Sequence, residues 1–136
     1  MSEPKNQSQP AESGERRASI YVVDDEPMLL ELASVILEPL GYVIETFRNP
    51  ETAVRAFKSA QPRPVLIITD YAMHSMNGME LIEACRQVEP EQKTLLLSGT
   101  VGPDVFHGAA CQPDRFLTKP YQAKQLIDMV KSMLAH

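Results

Sequence analysis

The sequence predicts an open α/β sheet of five parallel strands with helices wound on both faces, and three observations carry that prediction. Short apolar runs alternate with helical patterns from Ser19 onward. The run VLIIT at Val65–Thr69 is apolar throughout, as a parallel strand covered on both faces must be. The acids Asp24, Asp25 and Asp70 follow directly on apolar runs, which puts them at strand ends.

The first strand is Ile20–Val23. The first helix starts near Pro27, a good first-turn residue, and sets Leu29, Ala33, Ile36 and Leu40 on one inward stripe before Pro39 and Gly41 close it. Strand two, Tyr42–Phe47, alternates as a half-buried edge does. Helix two takes Asn49 as cap and Pro50 at its first position, with Ala53, Phe57 and Ala60 inward. Strand three is Val65–Thr69. Helix three follows Asn77-Gly78 and stops before Pro90, strand four is Thr94–Leu97, and strand five is Arg115–Thr118. Residues 102–113 hold two glycines and two prolines, so a fourth helix is short or irregular, near Asp104–Ala110. The closing helix carries Leu126, Ile127, Val130 and Leu134. Strands one, three and four are neighbours in a flavodoxin-like order, 2-1-3-4-5.

Residues 1–18 hold no aliphatic side chain larger than alanine after Met1 and no aromatic. They bury too little to offset ordering and read as a disordered tail, leaving 19–136 as one domain. A net charge of −5 argues against nucleic acid or an anionic membrane as the main partner. No apolar run approaches the roughly 18 residues of a membrane span, and no signal-peptide core is present. Cys85 and Cys111 make neither a disulfide framework nor a paired metal motif, which fits a reduced, cytoplasmic setting. The three histidines are scattered, and Met73, Met76 and Met79 read as packing.

Ligands of open parallel sheets bind outside the carboxyl ends of the strands. Those ends read Asp24-Asp25-Glu26, Asp70, Ser98-Gly99-Thr100 and Lys119-Pro120. Gathered carboxylates repel one another unless a cation holds them, and a hard divalent ion with oxygen ligands, Mg²⁺ first, removes the repulsion.

The segments VVDDE, the TD of Asp70 with Met73 and Gly78 beyond it, LLLSG and FLTKP, at intervals of 45, 28 and 21 residues from Asp25 through Asp70 and Ser98 to Lys119, resemble those of response-regulator receiver domains over 19–136. The resemblance implies a two-component signalling module whose phospho-acceptor is Asp70. It implies Mg²⁺ on Asp25 and Asp70, with Asp24 acting through water and Ala72 through its backbone carbonyl. It makes Ser98 the switch hydroxyl, Lys119 the phosphoryl-pairing lysine with a cis Lys-Pro bond, and Phe116 the aromatic switch. The phosphoryl donor would be a histidine kinase or histidine phosphotransfer protein. The readout would be the face of the fourth helix, fifth strand and closing helix, and a phosphorylation-dependent dimer is compatible with it. With no output domain after the last helix, a stand-alone receiver is expected.

The sequence departs from the receiver pattern at three places. His74 stands where receivers usually carry proline, which leaves either a looser loop or an imidazole over the pocket. Phe116 lacks the hydroxyl of the commoner tyrosine, and Gln112-Pro113 replaces a usual Gly-Ala. Two rival functions remain. A phosphorylation-independent binding module would be expected to lose an acid or the lysine, and this chain keeps them. A dehalogenase-type aspartate phosphatase needs a general acid two residues after its nucleophile, and here Ala72 follows Asp70 at that spacing.

Overall fold

In the computed structural model, which describes residues 17–99 and 111–135, ten elements follow one another. They are β1 (Ser19–Val23), α1 (Pro27–Leu37), a 3₁₀ turn (Glu38–Leu40), β2 (Val43–Phe47), α2 (Pro50–Ser59), β3 (Leu66–Asp70), α3 (Gly78–Val88), β4 (Thr94–Ser98), β5 (Arg115–Thr118) and α4 (Ala123–Leu134). The strands form one sheet in the order β2-β1-β3-β4-β5, and every pairing is parallel. The expected order 2-1-3-4-5 is therefore observed. The expected irregular helix, nearly all of the expected tail, Thr100, His107 and His136 lie outside the described residues.

Period-two alternation sends the strand side chains into separate cores. On one face Ile20, Val22, Leu66, Ile68, Leu95 and Leu97 meet α1 and α4, whose Leu126, Val130 and Leu134 are buried. On the other, Tyr21, Val23 and Ile67 meet Ala53, Val54 and Phe57 of α2 and Leu81 and Cys85 of α3. Phe57 is fully buried, which contributes about 2–3 kcal/mol from area alone. β3 and β4 are buried at every residue, which explains their uninterrupted apolar runs. β2 is a half-exposed edge, as its alternation predicted.

The caps follow their sequence signals. Asn49 Oδ1 accepts from Thr52 N at α2. At α3, Asn77 and Glu80 form a reciprocal capping box, a feature of about 1 kcal/mol. Gly41 ends the 3₁₀ turn at φ +98°, a left-handed conformation that glycine adopts without a Cβ clash.

One expectation needs correcting. The core stripe of α1 is Leu30, Ala33 and Leu37, while Leu29, Ile36 and Leu40 are only half-buried. The helix PMLLELASVIL is apolar on more than one side, so periodicity alone does not choose the inward face. The residues left outside are Met28, Leu32 and Val35, with relative exposures of 79%, 48% and 63%. Smaller differences lie at strand and helix ends. Asp70 and Ser98 are the last residues of their strands, Val65 and Tyr42 fall just outside theirs, and Ala60 caps α2, half-buried.

Arg86 on α3 is a structural residue that local pattern does not reveal. Its guanidinium donates to Asp114 Oδ2 at 2.8 Å, Thr94 Oγ1 at 3.1 Å and the Gln92 carbonyl at 3.2 Å. Asp114 Oδ2 also accepts from Thr94 N at 2.8 Å. This clamp joins α3 to the amino ends of β4 and β5.

Candidate functional site

The carboxyl ends of β1, β3, β4 and β5 converge on one rim. Past β1, Asp24 N donates to the Phe47 carbonyl at 3.1 Å, which carries the strand pairing one residue further. Asp24 Oδ1 then accepts from Glu26 N at 2.9 Å and turns the chain into α1. The Asp24 carboxylate is thereby buried, and Asp25 is left half-buried beside it. Asp70 is buried as well, fixed by the pairing of β3 with β4 and by Tyr71 N donating to Leu97 O at 2.8 Å. Asp24, Asp25 and Asp70 each bring an oxygen to one spot, with these atoms within 4.8 Å of one another.

Lys119 N donates to Ser98 O at 2.9 Å, extending the β4–β5 pairing to the site. Its ammonium lies 2.9 Å from Asp70 Oδ1 and 3.5 Å from Asp24 Oδ2. The Lys119-Pro120 bond is cis, as the resemblance implied; Gln61-Pro62 is also cis, which the sequence did not announce. Ser98 is buried at the end of β4, and Phe116 is half-buried against Ile82 and Leu96. Ala72 lines a cleft of about 570 Å³ that runs from Asp70 and Lys119 to Leu29, Leu32 and Tyr121. His74, exposed on the loop after β3, brings Nδ1 to 3.2 Å from Asp25 Oδ2.

The electrostatics of this rim are those of surplus negative charge. Burial raises the pKa of the Asp24 carboxyl, and the nearby Asp70 charge adds to the rise; the Glu26 amide and Lys119 pull it down by less. Burial pushes the Lys119 ammonium down, but its hydrogen bond to Asp70 and the charges of Asp24 and Asp70 outweigh that and raise it. Burial also raises the Tyr121 phenol. Among the described residues, the one ammonium at this rim pairs with Asp24 and Asp70 of a cluster of three carboxylates, and burial of Asp24 carries a cost. An all-oxygen donor set of this charge suits a hard divalent cation such as Mg²⁺.

A test of that charge imbalance follows. A carboxyl whose folded pKa lies above its unfolded value costs stability when ionised, and the cost vanishes below the unfolded value, near 3.8. Asp24→Asn keeps an oxygen for the Glu26 amide and removes the charge. Without divalent ions it is expected to melt several degrees above the parent near neutral pH. The gap should close as the pH falls through the folded pKa toward 3.8. A gap of opposite sign would show that the Lys119 pairing outweighs burial, and a gap constant with pH would show that it does not come from the Asp24 charge.

Comparison with known proteins agrees with this arrangement. The model of the response regulator receiver domain matches residues 20–131. The transcriptional regulatory protein TcrX of Mycobacterium tuberculosis, whose name carries the qualifier "Probable", is 27% identical over 117 residues, which cover 85% of this chain and 49% of that protein. The DNA-binding response regulator MtrA of Mycolicibacterium smegmatis is 28% identical over 118 residues, 87% of this chain and 51% of its own length. The chain thus spans about half the length of the curated relatives it matches. Among solved structures, the chemotaxis protein CheY4 of Vibrio cholerae superposes with a TM-score of 0.79 at 26% identity, covering 88% of this chain and 100% of that one. The response regulator TrrA of Thermotoga maritima, solved in complex with Mg²⁺-BeF, gives 0.75 at 30% identity, covering 86% and 99%.

Proposed function

Because the chain belongs to the response-regulator receiver family of two-component systems, we propose that it accepts a phosphoryl group on Asp70 from a histidine kinase or histidine phosphotransfer protein and passes the signal on by a change of surface. The observation that carries this reading is the meeting of Asp24, Asp25 and Asp70 with the Lys119 ammonium at the mouth of an open cleft. The receiver occupies residues 19–136. Asp25 and Asp70 would hold the Mg²⁺, with Asp24 through water and the Ala72 carbonyl. Bound there, the ion supplies neutralisation of charge at the phosphoryl oxygens.

The work of the side chains follows from their positions. A carboxylate oxygen of Asp70 forms a bond to phosphorus as the phosphorus–nitrogen bond of the donor imidazole breaks. The electron pair stays on the imidazole nitrogen, which takes a proton from water as it leaves. Lys119 already lies on Asp70 Oδ1, so its ammonium is in place to pair with a phosphoryl oxygen when that carboxylate is esterified. The acyl phosphate brings roughly 1.5 to 2 negative charges to the rim. Ser98 donates to it, and Phe116 turns inward into the space this frees, altering the surface around β5 and α4. Water attacks the acyl phosphate only slowly, so turnover is self-limited and the chain acts as a signalling module, not an enzyme.

The setting fits cytoplasmic work, and no described helix is long and apolar enough to cross a membrane. For these residues, at a net charge of −5, a protein partner is the reading and nucleic acid is not. Mass spectrometry after incubation with a small phosphodonor tests the proposal. One phosphoryl group should appear with Mg²⁺ present and none with the ion chelated. Equal labelling in both conditions would remove the metal from the reaction, and no labelling in either would leave a module that signals by binding alone.

A further inference from the structure

The residue at position 74 puts a nitrogen donor beside an otherwise all-oxygen site. His74 Nδ1 lies 3.2 Å from Asp25 Oδ2. Two neighbouring ligands of one octahedral ion, each about 2.1 Å from it, stand about 3.0 Å apart. The observed separation is thus one that two such ligands show. The loop that carries His74 is held on both sides of it. Met73 and Met76 pack against the core under α2 and α3, and Ser75 Oγ donates to Glu51 at 2.7 Å. The imidazole itself is 94% exposed, so no packing must break for it to turn about its side-chain bonds toward an ion on Asp25.

We propose that His74 is a direct nitrogen ligand to the ion on Asp25 and Asp70, so that the site prefers borderline first-row ions over Mg²⁺ more strongly than carboxylates alone would. The proposal rests on the reading that this acidic rim holds a divalent ion. Imidazole adds little for Mg²⁺, which favours oxygen, and much for Co²⁺ or Zn²⁺. A second consequence is that the loop after β3 becomes tied to the metal through a side chain as well as through the Ala72 carbonyl.

Calorimetry and pulsed electron paramagnetic resonance on the full chain test this at one fixed pH. The parent is titrated with Mg²⁺ and Co²⁺, and its Mn²⁺ complex is examined for coupling to a directly bound nitrogen-14. Two variants are compared: His74→Ala, and His74→Asn, which keeps a hydrogen-bond donor for Asp25 and loses the imidazole. Both are expected to weaken Co²⁺ binding by roughly tenfold or more, to change Mg²⁺ binding by less than about twofold, and to erase the nitrogen coupling. Asp25→Ala should erase that coupling as well.

If His74→Asn binds both ions as the parent does, the imidazole only donates to Asp25 and the proposal falls. It falls equally if the coupling survives Asp25→Ala, since the nitrogen then belongs to an ion elsewhere. Failure of the parent to bind any of the three ions would overturn the metal reading itself along with the role of His74. Normal Mg²⁺ binding without nitrogen coupling would overturn the role of His74 alone.

Discussion

Asp70→Asn is expected to take up no phosphoryl group under conditions in which the parent is labelled fully. The amide has the shape of the carboxylate and still offers an oxygen to the Lys119 ammonium, so the rim keeps its form. What it lacks is the anionic oxygen that attacks phosphorus, and the neutral amide is a far weaker nucleophile. Asp70 is buried and locked into β3 by its pairing with β4, so a neighbouring acid cannot swing into its place without moving the sheet. Asp25, with its side chain 22% exposed against 4% for Asp24, is the more accessible of the two neighbouring carboxylates. Intact-mass measurement over a time course, with thermal melting to show that the variant is folded, checks the expectation. A variant that labels at the parent's rate would move the acceptor to another residue.

Gly78→Ala is expected to cost about 2–3 kcal/mol of stability, a large share of what a domain of this size has. A Cβ at residue 78 would clash with the Asp70 carbonyl oxygen and stand 2.7 Å from Leu96 Cδ1. The second contact can be relieved by a side-chain turn. The first cannot, because the Asp70 carbonyl is backbone of a central strand and accepts from Thr69 Oγ1 at 2.9 Å. Gly78 N also donates to Tyr71 O at 2.8 Å, so α3 begins pressed against the loop after β3. The melting temperature should fall by roughly 8–15 °C, and labelling of Asp70 should slow because relief displaces that residue. Glu80→Ala, which removes only the side-chain acceptor of Asn77 N and keeps the Asn77 cap on the residue 80 amide, should cost no more than about 1 kcal/mol and leave the labelling rate alone. If Gly78→Ala melts with the parent, α3 is free to slide away from β3.

Most of the fold and the rim was legible from local pattern. β3 and β4 announce themselves because a strand covered on both faces has no polar position to spare, and α2 and α3 because Asn49-Pro50 and Asn77-Gly78 are cap signals. The acids and Lys119 could be gathered on paper because parallel strands all present their carboxyl ends to one side. The inward face of α1 was not legible, since Met28, Leu32 and Val35 make it apolar where it meets no core. The Arg86 clamp and the partner of His74 were hidden for another reason; for His74 the sequence offered an imidazole over the pocket as one of two alternatives, without naming Asp25. Each joins single residues far apart in the chain, and such a pairing leaves no periodicity to read. The tail and the irregular fourth helix fall outside the described residues and stay expectations.

The rim draws its acids from the ends of β1 and β3 and its ammonium from the end of β5, an edge strand and the last strand among the described residues. Synthesis proceeds from the amino end, so on the ribosome Asp24, Asp25 and Asp70 emerge well before Lys119. A nascent chain that has closed only β1, β2 and β3 therefore presents these carboxylates without the Lys119 ammonium, and ambient cations can shield them. The arrival of β5 supplies the counter-charge. The counter-charge at the rim is thus acquired only after all three acids have emerged, and a nascent chain stalled before β5 lacks the ammonium that balances them.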